Sequence, residues 1–185
     1  KSTLLRVLAG DPSVESYIEV SGSFSCRDSA AYLPQELPES ERTLSAYDFF
    51  CMSPVFFDQS PRELGELAAR LSLPADIFYS DQLMQTFSGG ERVKLQLARL
   101  LMSNPTTLLL DEPTNDLDSD SVLWLENFLL SCKLTVLFVS HDEALLSRAA
   151  TSILLLERLR RRQVPRATLY RMGYDRFYEE RGAAF

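Results

Sequence analysis

Two stretches of the sequence constrain its fold most: Thr107–Leu110 within "TTLLLDEP", and residues 134–140, "LTVLFVS". Both are short runs of apolar residues without polar alternation, and both close on polar residues. A strand that is apolar on both faces must be covered on both, which is the condition of a parallel sheet layered between helices. The segments around them carry a different period. In "FSGGERVKLQLARLLMSN", Val93, Leu97, Leu100 and Leu101 recur at helical spacing, and "SDSVLWLENFLL" and "DEALLSRAA" read as further helices. "SILLLE" reads as a third strand. Strand and helix alternate, so the expected class is α/β with a largely parallel sheet.

Toward the start, Ser2 to Ala9 reads as a short helix stopped by Gly10, Asp11 and Pro12. "SYIEVSG" and "SAAYLPQ" read as strands, the second ended by Pro34. Ser60-Pro61-Arg62-Glu63 combines a capping serine, a proline suited to the first helical turn and a glutamate that completes a capping box. The helix it opens, "RELGELAARLSL", should end before Pro74. Ser88 and Glu91 form a second capping box, and Asn104-Pro105 stops that helix.

Composition excludes little but sharpens two points. The 185 residues suit one large domain, and no apolar run reaches the roughly 20 residues that span a bilayer. Cys26, Cys51 and Cys132 are far apart and lack metal-ligand spacing, as expected of reduced thiols in a cytoplasmic protein. The net charge of −7 argues against a surface that binds nucleic acid throughout. After Leu156, however, Arg158, Arg160, Arg161, Arg162, Arg166, Arg171, Arg176 and Arg181 face only Glu157, Asp175, Glu179 and Glu180. Such a basic tail suits either a polyanionic partner or a solvated linker helix.

Five short features that carry chemistry occur in order. Lys1-Ser2, ahead of a helix, is how a phosphate-binding loop ends: the lysine reaches the β- and γ-phosphates and the next hydroxyl binds Mg²⁺. Gln35, closing "AAYLPQ", can reach Mg²⁺ or an attacking water through its amide. Ser88-Gly89-Gly90-Glu91 opens a helix whose free amides, beside two residues without side chains, suit an anion; a structural helix start explains Ser88 and Glu91 equally well. Asp111 and Glu112 stand at the carboxyl end of a parallel strand, where α/β sheets bind ligands. There Asp111 can hold Mg²⁺ and Glu112 can take a proton from water; a bare acidic pair starting a turn before Pro113 is the plainer reading. His141 follows the second apolar strand and is placed on the same sheet edge, able to contact a γ-phosphate or hold the water.

Lys-Ser-Thr, the glutamine after a strand, "FSGGERVKLQLARLL", "LLLDEPTNDLD" and "VSHD" together resemble an ABC-type ATPase domain over nearly all of residues 1–157. The resemblance implies a P-loop NTPase fold with a helical subdomain, about residues 40–104, between Q-loop and signature. By motif, Lys1, Ser2 and Thr3 resemble the end of the Walker A loop, Gln35 the Q-loop and Ser88–Glu91 the signature. Asp111 and Glu112 resemble the Walker B pair, Asn115, Asp116 and Asp118 the D-loop, and His141 the switch histidine. The implied nucleotide is ATP with Mg²⁺, and the implied partner is a second ABC domain, because in that family the signature of one domain faces the Walker loops of another.

Within the family, Glu91 in the signature, "DEPTNDLD" and "VSHDEALLSRAATSILLLE" are similar to the ABC-F branch. That branch implies ATP hydrolysis coupled to the ribosome, as a translation factor or an antibiotic-resistance (ribosome-protection) factor, in the cytoplasm and without membrane insertion. The alternative is the ATP-binding subunit of a membrane transporter. Residues 158–185, with "LYRMGYDRFYEER", resemble the start of an ABC-F interdomain linker that lies near rRNA; Tyr170, Tyr174, Phe177 and Tyr178 suit a packing face as well as RNA. The stretch from Gln35 to Ser88 leaves room for a short ribosome-contacting arm at most. Because Lys1 stands first, the loop's glycines would lie upstream, and the sequence is expected to be a fragment, truncated inside Walker A, that binds ATP weakly or not at all by itself.

Overall fold

A computed structural model describes residues 1–16, 18, 19, 29–157 and 166–182. Its contacts divide the chain into two compact units, Ser2–Val139 and, with Lys1, Ser140–Phe185.

The larger unit holds a three-stranded parallel sheet in the order β1 (Ala30–Leu33), β2 (Thr107–Asp111), β3 (Thr135–Val139). β2 is central, and Leu108, Leu109 and Leu110 are all buried although they alternate between the two faces. β3 departs from expectation. It is half-buried rather than buried, because it has a partner strand on one side only among the described residues. Helix α1 (Ser2–Leu8) packs on β1 and β2 and buries Leu5.

Between β1 and β2 the regular elements of the described chain are helices, joined by loops in which Ser45 and Leu83 form an isolated antiparallel bridge. The helices are α2 (Glu39–Arg42), α3 (Ala46–Cys51), α4 (Pro61–Arg70) and α5 (Gly89–Met102), with 3-10 turns between them. α4 begins as its sequence requires: Ser60 accepts from the Glu63 amide, and the Glu63 carboxylate accepts from the Ser60 amide at 2.7 Å. It ends at Arg70, four residues before Pro74. Phe49, Phe50 and Phe78 are fully buried with Leu95 and Leu97 in one core that continues to Leu108, Leu110 and Leu125. Arg99 of α5 lies over the Phe49 ring at 3.8 Å and pairs with Glu41 of α2 at 2.8 Å, tying the helices to one another. After α5, Asn104 takes a left-handed backbone (φ 47°) before Pro105, and the chain enters β2. Helix α6 (Ser119–Ser131) leads from β2 to β3.

The smaller unit holds α7 (Glu143–Ala149), β4 (Ile153–Glu157), β5 (Arg166–Tyr170) and α8 (Tyr174–Gly182). Here "SILLLE" is a strand as expected, but it pairs antiparallel with β5 instead of joining the parallel sheet. A boundary between residues 157 and 158 therefore separates two paired strands, and part of the expected linker start is built as a strand and a helix. Tyr170 and Phe177 pack edge to face at 5.0 Å between ring centres, so these two aromatics serve packing. Most of "SYIEVSG", and Arg158, Arg160, Arg161 and Arg162, lie outside the described residues; Ser16 ends a 3-10 turn.

Candidate functional site

The carboxyl end of β2 gathers the most chemistry. Asp111 is its last residue, 1% exposed, and each carboxylate oxygen accepts one hydroxyl. Ser2 donates to Oδ1 at 3.0 Å from the first position of α1, and Tyr32 donates to Oδ2 at 3.0 Å from the neighbouring strand. Tyr32 pairs in register with Leu109, and side chains two apart on a strand share a face, so Tyr32 and Asp111 are brought to the same side of the sheet. Burial holds the Tyr32 phenol above its ordinary pKa, with the Asp111 charge adding to it and a hydrogen bond from Arg6 opposing it.

The next residue, Glu112, is 8% exposed and adopts a left-handed backbone at φ 47°, a conformation that costs a side-chain-bearing residue about 1 kcal/mol or more. Its amide still donates to the Val139 carbonyl at 2.9 Å, and its carbonyl accepts from the Asn115 amide at 3.1 Å. Glu112 thus leaves the strand by a turn while β3 holds it by the backbone.

A second cluster surrounds an open cavity of about 320 Å³, lined among others by Gln35, Gly89, Gln96, Asn115 and Asp116. Three separate segments named from sequence meet there: the loop after β1, the start of α5 and the turn after β2. Ser88 caps α5, and Glu91 closes the box, its Oε2 accepting from the Ser88 amide at 2.8 Å and from the Ser88 hydroxyl at 2.9 Å. Asp118 caps α6 through the Ser121 amide at 2.8 Å, and its hydrogen bonds with Ser121 hold its pKa below the usual value.

The two glycines of α5 have a reason that the sequence does not reveal. A Cβ on Gly89 would lie 2.1 Å from the Asp116 carbonyl oxygen, and one on Gly90 would lie 2.0 Å from Ser121 Oγ. The helix start is pressed against the turn that follows β2, so small residues are required there whether or not a phosphate approaches. Asp116, itself left-handed at φ 60°, presents that carbonyl.

Thr3 is exposed on α1. Lys1 and His141 fall in the smaller unit, both exposed; His141 stands just ahead of α7, which Asp142 caps through the Ala144 and Leu145 amides. One contributor escaped sequence reasoning. Tyr32 is the polar member of an alternating strand; the periodicity was readable, but a lone hydroxyl carries no motif of its own.

Among the described residues no group of three or more His, Cys, Asp or Glu side chains could hold a metal. The donors that do converge are hard oxygens, one carboxylate and one serine hydroxyl. That set fits Mg²⁺, which takes one or two carboxylates and completes its shell with water and phosphate oxygens. Ser2 and Asp111 would hold it, with Gln35 available on the loop after β1.

Comparison with known proteins gives these positions a context. The family described as "ABC transporter" matches residues 1–115. Elongation factor 3 of Phytophthora infestans is 32% identical over 187 residues, covering 100% of this chain and 16% of that protein. ATP-binding cassette sub-family F member 3 of Rattus norvegicus is 40% identical over 117 residues, covering 63% of this chain and 16% of that protein. This chain therefore spans about a sixth of either relative. Among solved structures, RNase-L Inhibitor superimposes with a TM-score of 0.68 at 24% identity, over 98% of this chain and 35% of that one, a likeness of fold. Among the described residues, no helix is long and apolar enough to cross a membrane.

Proposed function

This chain belongs to the ABC transporter family, and from that premise we propose that it is an ATP-binding and ATP-hydrolysing domain of the ABC-F type, working in translation on the ribosome. The observation that carries the ATPase reading is the end of β2, where a buried carboxylate gathers the Ser2 hydroxyl and is followed by a second, strained carboxylate. Bound Mg²⁺ supplies charge neutralisation to the β- and γ-phosphates. Lys1 reaches those phosphates, Ser2 and Asp111 hold the cation, and Glu112 accepts the proton of the attacking water. Gln35 and His141 orient that water and the γ-phosphate. Ser88, Gly89 and Gly90, with Glu91 fixing the cap and Asn115, Asp116 and Asp118 shaping the turn beside it, present amides to a nucleotide held by a second ABC domain.

Two relatives named as an elongation factor and as a sub-family F member support the ABC-F and translation part of the reading. The residues from 158 onward then act as the beginning of a linker toward the ribosome.

The test uses the full-length protein that carries this sequence. Glu112→Gln is expected to retain ATP and lose at least about 100-fold in steady-state hydrolysis, as removal of a general base does. Undiminished turnover removes Glu112 from that role. Co-sedimentation with ribosomes that weakens with salt and strengthens in Glu112→Gln supports the translation reading; its absence in both proteins leaves the ATPase and removes the ribosome.

A further inference from the structure

Asp111 makes two hydrogen bonds of equal length with unequal partners. The Ser2 hydroxyl sits on a short rotor at a helix start and carries lone pairs of its own, so it can turn from the carboxylate to a cation. Tyr32 is a rigid ring fixed on β1, where register sets it on the Asp111 side of the sheet. Ser2 reaches Asp111 Oδ1 from the start of α1, and Tyr32 reaches Oδ2 from β1.

The direction of the Tyr32 bond follows from donor chemistry. An ionised carboxylate only accepts, and a phenol carries a single proton, so the Tyr32 O–H is spent on Asp111 Oδ2. One carboxylate oxygen is permanently engaged, the plane of the carboxylate is pinned, and Oδ1 on the Ser2 side is the oxygen left for a ligand. A phenylalanine would fill the same space on β1 without doing any of this.

We propose that Tyr32 is a positioning residue that fixes the Asp111 carboxylate for the divalent cation accompanying the nucleotide. The inference rests on the ATPase reading above and assigns to that site a residue outside its recognised motifs, one that acts through Asp111.

The test separates cation from nucleotide by binding rather than turnover. In the full-length protein, the affinity for ATPγS is measured by calorimetry with Mg²⁺ and with EDTA, for wild type, Tyr32→Phe, Tyr32→Leu and Tyr32→His. Tyr32→Phe is expected to leave the EDTA affinity unchanged and to cut the Mg²⁺-dependent gain about tenfold, the size of one hydrogen bond to a charged group. Tyr32→Leu should lose the same gain, and Tyr32→His, whose ring keeps an N–H donor, should restore part of it. A Mg²⁺ gain unchanged in Tyr32→Phe, or an equal fall with and without the cation, overturns the proposal. If Tyr32→Phe does not fold, Tyr32→Leu decides by the same two criteria. A wild-type protein with no Mg²⁺-dependent binding overturns the ATPase reading itself, a result distinct from normal binding in every variant.

Discussion

β2 and β4 are nearly the same strand in sequence, "TLLLD" and "ILLLE", yet they have opposite fates. β2 lies between two parallel neighbours with its three leucines buried. Among the described residues β4 has one antiparallel partner, and it alternates, Leu154 and Leu156 standing 40% and 44% exposed. Their terminal acids differ in the same sense. Asp111 accepts two hydroxyls, whereas Glu157 pairs with the Arg181 guanidinium. A carboxylate met by hydroxyls keeps its charge available for a cation; one met by a guanidinium is already neutralised. Composition brings both strands into existence, and neighbours decide which of them can host chemistry.

The largest test of that contrast is functional. Asp111→Asn should reduce Mg²⁺-dependent ATP hydrolysis by at least about 100-fold, as loss of a cation-holding charge does, while Glu157→Gln should leave it within about twofold; equal losses would erase the distinction. Next comes stability. Leu110→Ala should cost about 2–5 kcal/mol in denaturant unfolding, against about 0.5 kcal/mol for Leu156→Ala on the half-open strand. A third experiment asks whether the crowding around β2 extends past its end. Gly90→Ala should destabilise by about 1–3 kcal/mol through overpacking on Ser121, and adding Ser121→Gly should recover most of it despite the helix cost of a glycine, about 1 kcal/mol; no recovery would mean that the clash is not with Ser121. The smallest effect is at Glu157–Arg181. The Glu157 hydrogen bond raises the Arg181 pKa, so its contribution is complete below the ordinary arginine value and lost only as pH rises through the raised one. Salt is therefore the usable lever at neutral pH, and raising it should lower the melting temperature of wild type slightly more than that of Glu157→Gln.

What the sequence made legible was whatever is local or repeats. Capping at Ser60 and Ser88, the breaks at Pro74 and Pro105 and the apolar runs of β2 and β3 depend on residues within a few positions of one another, and each element appears where those residues require it. The segments converging on the cavity were also named, because motif order fixes them. The partner of β4 was not, since three leucines in a row satisfy a central and an edge strand equally and only β5, nine residues further along the chain, resolves the choice. Nor was the half-burial of β3, which depends on the number of neighbouring strands. Tyr32 was missed for a related reason: its meeting with Asp111 is made by sheet register, which no single segment contains.

The fit of Gly89 and Gly90 against Asp116 and Ser121 has a mechanical consequence. With no side-chain volume between them, the start of α5 and the turn after β2 touch backbone to backbone, so neither can take a larger residue at the contact without the other giving way.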